Sequence, residues 1–103
     1  MDIKQLLGKR IQELRKSKGL TQECMAELMG IEVVSMSNIE RGKYYPAAEN
    51  LTKIINILDV QPDELFKFNH LKPHNEILSE MYKNLENNEN LARLVYKFYM
   101  LVK

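Results

Sequence analysis

Gly30 constrains this chain more than any other residue, because it divides two stretches of about eight residues that both read as helices. Thr21 fits the N-cap of the first stretch, and Glu23 sits in the turn where the helix dipole favours a carboxylate. Met25, Ala26 and Met29 mark its apolar side, and Gly30 closes it after barely two turns. The second stretch covers about 33–40 and stops at Gly42. Small Ala26 lets the two helices approach closely, while Ile31, Met36 and Ile39 fill the space beneath the second.

Around this pair the pattern is helical throughout. Ile3, Leu6, Leu7, Ile11 and Leu14 recur at helical spacing over residues 3–18, with charges between them, and Gly19 ends that helix. "YYP" predicts an extended connection, since a residue before proline avoids the helical region. Pro46 suits the first turn of a fourth helix striped by Leu51, Ile54, Ile55 and Leu58, and Pro62 opens a short fifth one holding Leu65 and Phe66. No segment alternates with period two for long enough to argue a strand, so the class is all-α. "NHLKP" reads as a linker, which sets the expected domains at 1–68 and 69–103. The second domain holds two helices, about 74–86 and 89–102, separated by "ENNEN". The first is amphipathic through Ile77, Leu78, Met81, Tyr82 and Leu85. The last is apolar around much of its circumference, where a lone surface helix shows one stripe.

Several function classes drop out on composition. A formal net charge of +1 predicts no strong generic pull on polyanions, although residues 1–20 concentrate Lys4, Lys9, Arg10, Arg15, Lys16 and Lys18 against Asp2 and Glu13. Contact with a nucleic acid would therefore rest on local geometry. "LARLVYKFYMLV" is too short and too charged to span a bilayer, and "MDIKQLLGKR" lacks the apolar core of a signal peptide. Cys24 is the only cysteine, which excludes an internal disulfide and suits a reducing cytoplasm. It reads as a small inert hydrophobe. His70 and His74 have no other ligand-type residues beside them, so neither a metal nor any cofactor is expected. No nucleophile–base pair or phosphate-cradling glycine loop emerges, and the chain does not read as an enzyme.

The run "LGKRIQELRKSKGLTQECMAELMGIEVVSMSNIERGKYYPAAENLTKIINILDVQPDELF" resembles the phage-repressor/Cro-type (XRE-like) helix-turn-helix family of DNA-binding regulators. "RKSKGLTQ", "NIERGK", the proline after the loop and "DELF" all sit at family-like spacing, over roughly residues 6–66. The resemblance implies a five-helix repressor-like domain that binds double-stranded DNA sequence-specifically, as a homodimer on a two-fold site. It also implies that Gln22 reaches a phosphate or braces the recognition helix, and that Arg15 pairs with Glu40 as a structural tie.

A helical wheel starting at Val33 gives an independent view. Met36, Ile39 and Glu40 fall on one face; Val34, Ser37, Asn38 and Arg41 fall on the other, with Val33 near its edge. Glu40 thus lies toward the packed side, where a carboxylate without a partner is costly. The outward face mixes methyl, hydroxyl, amide and cationic groups, each with a partner in a major groove. Val33, Val34, Ser37 and Asn38 are therefore the expected base contacts, the valines meeting thymine methyls. Gln22, Arg41, Lys43 and Tyr44 are the expected phosphate contacts, which orient the protein without reading sequence.

The chain departs from the family pattern at named positions. Glu32 occupies the N-cap of the third helix, where Ser or Thr is usual. Cys24 and Leu28 stand where charged residues are usual, Asp59 replaces a glycine, and Ile55 and Ile57 exceed the customary alanines. These extra apolar groups are expected to be covered by the C-terminal helices, packed on their own domain or on a second protomer. Leu91, Leu94, Val95, Phe98 and Leu101 are the expected dimerisation residues. The sequence reading is thus a homodimeric transcriptional regulator, cytoplasmic and nucleoid-associated, that occludes or recruits polymerase at a palindromic operator. The alternative is an antitoxin-like or adaptor module whose apolar C-terminal helices grip a different protein.

Overall fold

The computed structural model describes residues 2–103. These form seven α-helices and one short 3-10 turn, with no strand among the described residues. The chain divides into two compact units that meet in sequence at Asn69 and His70.

The first unit carries five helices: α1 (Ile3–Ser17), α2 (Gln22–Met29), α3 (Val33–Glu40), α4 (Ala48–Leu58) and α5 (Pro62–Leu65). Helices of eight residues, such as α2 and α3, are marginal alone because nucleation is costly, so tertiary packing must hold them. Their caps help unevenly. The Thr21 hydroxyl accepts from the N–H of Cys24 at 3.0 Å, whereas Glu32 makes no side-chain cap for α3. Gly30 adopts φ +72°, ψ 32°, and the N–H of Ile31 then returns to the carbonyl of Ala26 at 3.0 Å. That left-handed residue turns the chain within three positions, from Gly30 to Glu32, and delivers α3 across α2.

Leu7, Ile11 and Leu14 of α1 meet Met25, Ala26 and Met29 of α2, Met36 and Ile39 of α3, and Ile54 and Leu58 of α4 in one buried cluster, closed by Val60 and Leu65. Ile55 and Ile57 pack against this same core, which therefore absorbs their extra methylenes within the unit. Leu28 stays exposed on α2. Pro46 does not start α4: it is buried in the extended connection, and the helix begins two residues later behind the N-cap position of Ala47.

Helix α4 ends on a non-glycine left-handed residue. Asp59 holds φ 53°, ψ 51°, and the N–H of Val60 reaches back to the carbonyl of Ile55 at 3.3 Å. An L-residue in that region is strained by roughly 1–2 kcal/mol, somewhat less for Asp. Asp59→Gly is therefore expected to stabilise the protein by about 0.5–1 kcal/mol net of the entropy glycine adds to the unfolded chain, read as a rise in urea midpoint without change in slope.

The second unit is an α-helical hairpin, α6 (His74–Glu86) packed on α7 (Glu89–Val102). Asn88 caps α7 through its side chain, accepting from the N–H of Leu91 at 3.0 Å. Lys72 bonds Glu80 at 2.7 Å, a contact that raises the ammonium pKa. No side chain of α6 or α7 is fully buried. Ile77, Leu85, Ala92 and Val95 are the half-buried positions of the two helices. Leu91, Leu94, Phe98 and Leu101 remain exposed, the last at 84%. Helix α7 thus has one apolar side toward α6 and a second without cover among the described residues.

Candidate nucleic-acid interface

Helix α3 buries Met36, Ile39 and Glu40 and turns its opening residues outward. Val33 is 41% and Val34 62% exposed, large values for valines in a packed domain. Ser37 is half-buried one turn further on, and Arg41, Lys43 and Tyr44 are exposed where the chain leaves the helix. Methyl, hydroxyl and cationic groups therefore lie along one open ridge.

Asn38 is a correction to the wheel. It is only 9% exposed, and its Oδ1 accepts from Nη2 of Arg41 at 2.6 Å. A wheel counts rotation about its own axis and omits the chain that follows. Here the turn after α3 folds back, with the N–H of Lys43 bonding the carbonyl of Asn38 at 2.9 Å. The Asn38 amide oxygen is thereby committed to aiming the guanidinium rather than to projecting from the ridge.

Beneath the ridge lies a closed polar knot. Nε of Arg15 donates to Oε2 of Glu40 at 2.6 Å, and its Nη2 donates to Oε1 at 3.0 Å. The side chains are only 7% and 1% exposed. Nη1 of Arg15 also donates to the carbonyl of Leu20 at 2.7 Å. The bidentate bond to Glu40 raises the guanidinium pKa above its ordinary value, outweighing the opposing effect of burial. Glu40 has a third donor: Nε2 of Gln22, at 2.9 Å. The Gln22 side chain, expected among the phosphate contacts, is thus spent on bracing the end of α3. One carboxylate ties together α1, the start of α2 and the last residue of α3.

Two glycines complete this framework, and periodicity missed both contacts. A Cβ on Gly8 would lie 2.5 Å from the carbonyl oxygens of Ile39 and Glu40, so α1 crosses the end of α3 backbone to backbone. A Cβ on Gly42, at φ +75°, would meet Cα of Gln5 at 2.7 Å. For Gly8 the available signal was a glycine inside an otherwise strong helical run, which costs about 1 kcal/mol unless something needs the space.

No group of three or more His, Cys, Asp or Glu side chains among the described residues could hold a metal, and Cys24 is a half-buried free thiol. No helix among the described residues is long and apolar enough to cross a membrane.

Two short helices at a left-handed glycine, the second with an open leading edge and an ion-paired end, define a helix-turn-helix domain. The helix-turn-helix family model HTH_3 matches residues 11–65, and the chain belongs to that family of DNA-binding transcriptional regulators, which are not enzymes. Among relatives, the SPbeta prophage-derived uncharacterized HTH-type transcriptional regulator YonR of Bacillus subtilis is 34% identical over 105 residues, spanning 95% of each chain. Among solved structures, the P22 c2 repressor in complex with a synthetic operator is similar with a TM-score of 0.57 and 34% identity, over 63% of this chain and 98% of that one. The restriction-modification controller protein C.AhdI from Aeromonas hydrophila matches 59% of this chain and 92% of its own, with a TM-score of 0.56 and 38% identity.

Proposed function

We propose that this protein is a homodimer that reads a palindromic operator, with α3 in the major groove of each half-site. The carrying observation is the exposure of Val33 and Val34 at the leading edge of the second helix of the motif. In helix-turn-helix proteins that edge meets base edges, and valine methyls there find partners in thymine methyls. Ser37 supplies a hydroxyl one turn on, while Arg41, Lys43 and Tyr44 take phosphate oxygens. The relative solved with an operator, the P22 c2 repressor, supports this reading through its likeness over the same domain. Such a regulator works in the cytoplasm, at the nucleoid.

Dimerisation is assigned to the uncovered side of α7, where Leu91, Leu94, Phe98 and Leu101 recur at three- and four-residue steps. Joined there, two copies would set α3 in successive major grooves about 34 Å apart. The half-buried Val95 serves the hairpin more than a second copy. The exposure of Phe98 and Leu101 also favours a second reading, an antitoxin-like or adaptor module that offers α7 to another protein.

Selection from a random duplex library, followed by titration at two salt concentrations, separates them. A motif with inverted symmetry bound by a homodimer supports the regulator; an insoluble chain rescued only by a co-expressed neighbour supports the module. On the selected site, Val34→Ala is expected to cost about 1 kcal/mol at one thymine position per half-site. Equal loss on every sequence would instead make Val34 a packing residue.

A further inference from the structure

A second polar feature lies beside the recognition helix. Gln5, Lys9 and Gln12, spaced along one face of α1, line a cleft of about 360 Å³ together with Gln22, Glu40 and Arg41. Its charge is not what a count of side chains suggests. The carboxylate of Glu40 accepts from both Arg15 and Gln22, so its negative charge is neutralised underneath. Arg41 keeps donors beyond the one given to Asn38. Among the described residues Lys9 has no ion-pair partner. The end of α3 would ordinarily repel an anion through its free carbonyls. Here the carbonyls of Ser37, Asn38 and Ile39 accept from the N–H groups of Arg41, Lys43 and Gly42. What remains is a concave site with two cations, the uncommitted amides of Gln5 and Gln12, and no uncompensated acid.

We infer that this cleft holds a phosphodiester of the DNA backbone, with Lys9 of α1 as its principal cation. The inference rests on the DNA-binding reading above and extends the interface from the α2–α3 motif and its following turn onto α1. Phosphate chemistry fits the donor set: Lys9 supplies a compact charge, Arg41 a planar fork, and the amides supply N–H groups that discriminate no base. Lys9 therefore anchors the protein's register on the duplex without contributing to sequence choice.

The test uses the full chain and its selected operator. Each neutralised phosphate contributes about 0.9 to the slope of log affinity against log salt. The homodimer carries two copies of Lys9, so Lys9→Gln should lower the slope by about 1.8 and, between 50 and 200 mM salt, lose about 12-fold less affinity than the wild type does. The loss of affinity itself should be equal across operator variants. Lys67→Gln removes the same charge from an exposed turn of the first unit and should leave the slope unchanged. Moving the cation within the cleft, by Lys9→Gln with Gln12→Lys, should restore the slope. A wild-type slope in Lys9→Gln, or an equal drop in Lys67→Gln, would overturn the inference while leaving the regulator reading intact. If the unaltered protein held no duplex at all, the reading beneath it would fail first.

Discussion

Glu40→Ala is expected to destabilise the protein by about 3–5 kcal/mol, the usual consequence of leaving one member of a buried ion pair without its partner. The side chain that remains, Arg15, is 7% exposed and cannot turn to water from its place under α3. It would keep its bond to the Leu20 carbonyl but lose both donors' acceptor, and the Gln22 amide would lose its acceptor too. For a unit of this size about 1 kcal/mol moves the midpoint by roughly 4–8 °C, so a melting curve should fall by well over ten degrees. The raised guanidinium pKa sets the sign of any pH effect. A cation whose pKa is higher folded than unfolded contributes its stability fully below the unfolded value, and that contribution is lost only as pH rises through the folded one. Arginine titrates far into alkali, so the penalty of the variant should be flat across neutral pH. The charge itself is not the source of net stability, since two desolvated ions and their attraction roughly cancel. Arg15→Met combined with Glu40→Leu should accordingly recover most of the loss. A single Glu40→Ala variant melting within a few degrees of the wild type would show that the knot is open in solution.

Gly8→Ala carries the second large effect, and its sign opposes helix propensity. On propensity alone the change should stabilise α1 by about 1 kcal/mol. The new methyl, however, would sit 2.5 Å from two backbone carbonyl oxygens of α3, and backbone has no rotamer to yield. Relief requires α1 and the end of α3 to separate, an overpacking cost at the upper end of roughly 1–3 kcal/mol. A net destabilisation of about 2 kcal/mol in chemical denaturation is expected. DNA affinity should fall by more than the unfolded fraction explains, because the displaced end of α3 carries Glu40 and Arg41. Gly8→Ala at or above wild-type stability would mean that the crossing is looser than the structure has it.

Local chemistry makes the helices legible in the sequence. Thr21, Gly30, Gly42 and Pro62 are caps, stops and starts whose conformational demands act within a few residues, and the elements end where those demands place them. The family resemblance was equally open, since its motifs are spacings along the chain. Pro46 misled because a proline fits both a helix start and the extended residues ahead of one, and here it is buried in the extended residues. Asn38 misled for a related reason: rotation about α3 is local, whereas its burial comes from a chain reversal five residues on, bonded back from Lys43.

What the sequence determined unaided is the all-α class, the glycine turn between α2 and α3, and the outward set of Val33 and Val34, because hydrophobic period and backbone handedness are properties of neighbouring residues. The tertiary structure alone decided that Gln22 braces rather than projects, that Asn38 serves Arg41, and that α1 meets α3 through Gly8. Each of these depends on atoms far apart in sequence coming within bonding distance, and no periodicity along a chain encodes a distance of 2.9 Å between an amide at Gln22 and a carboxylate at Glu40.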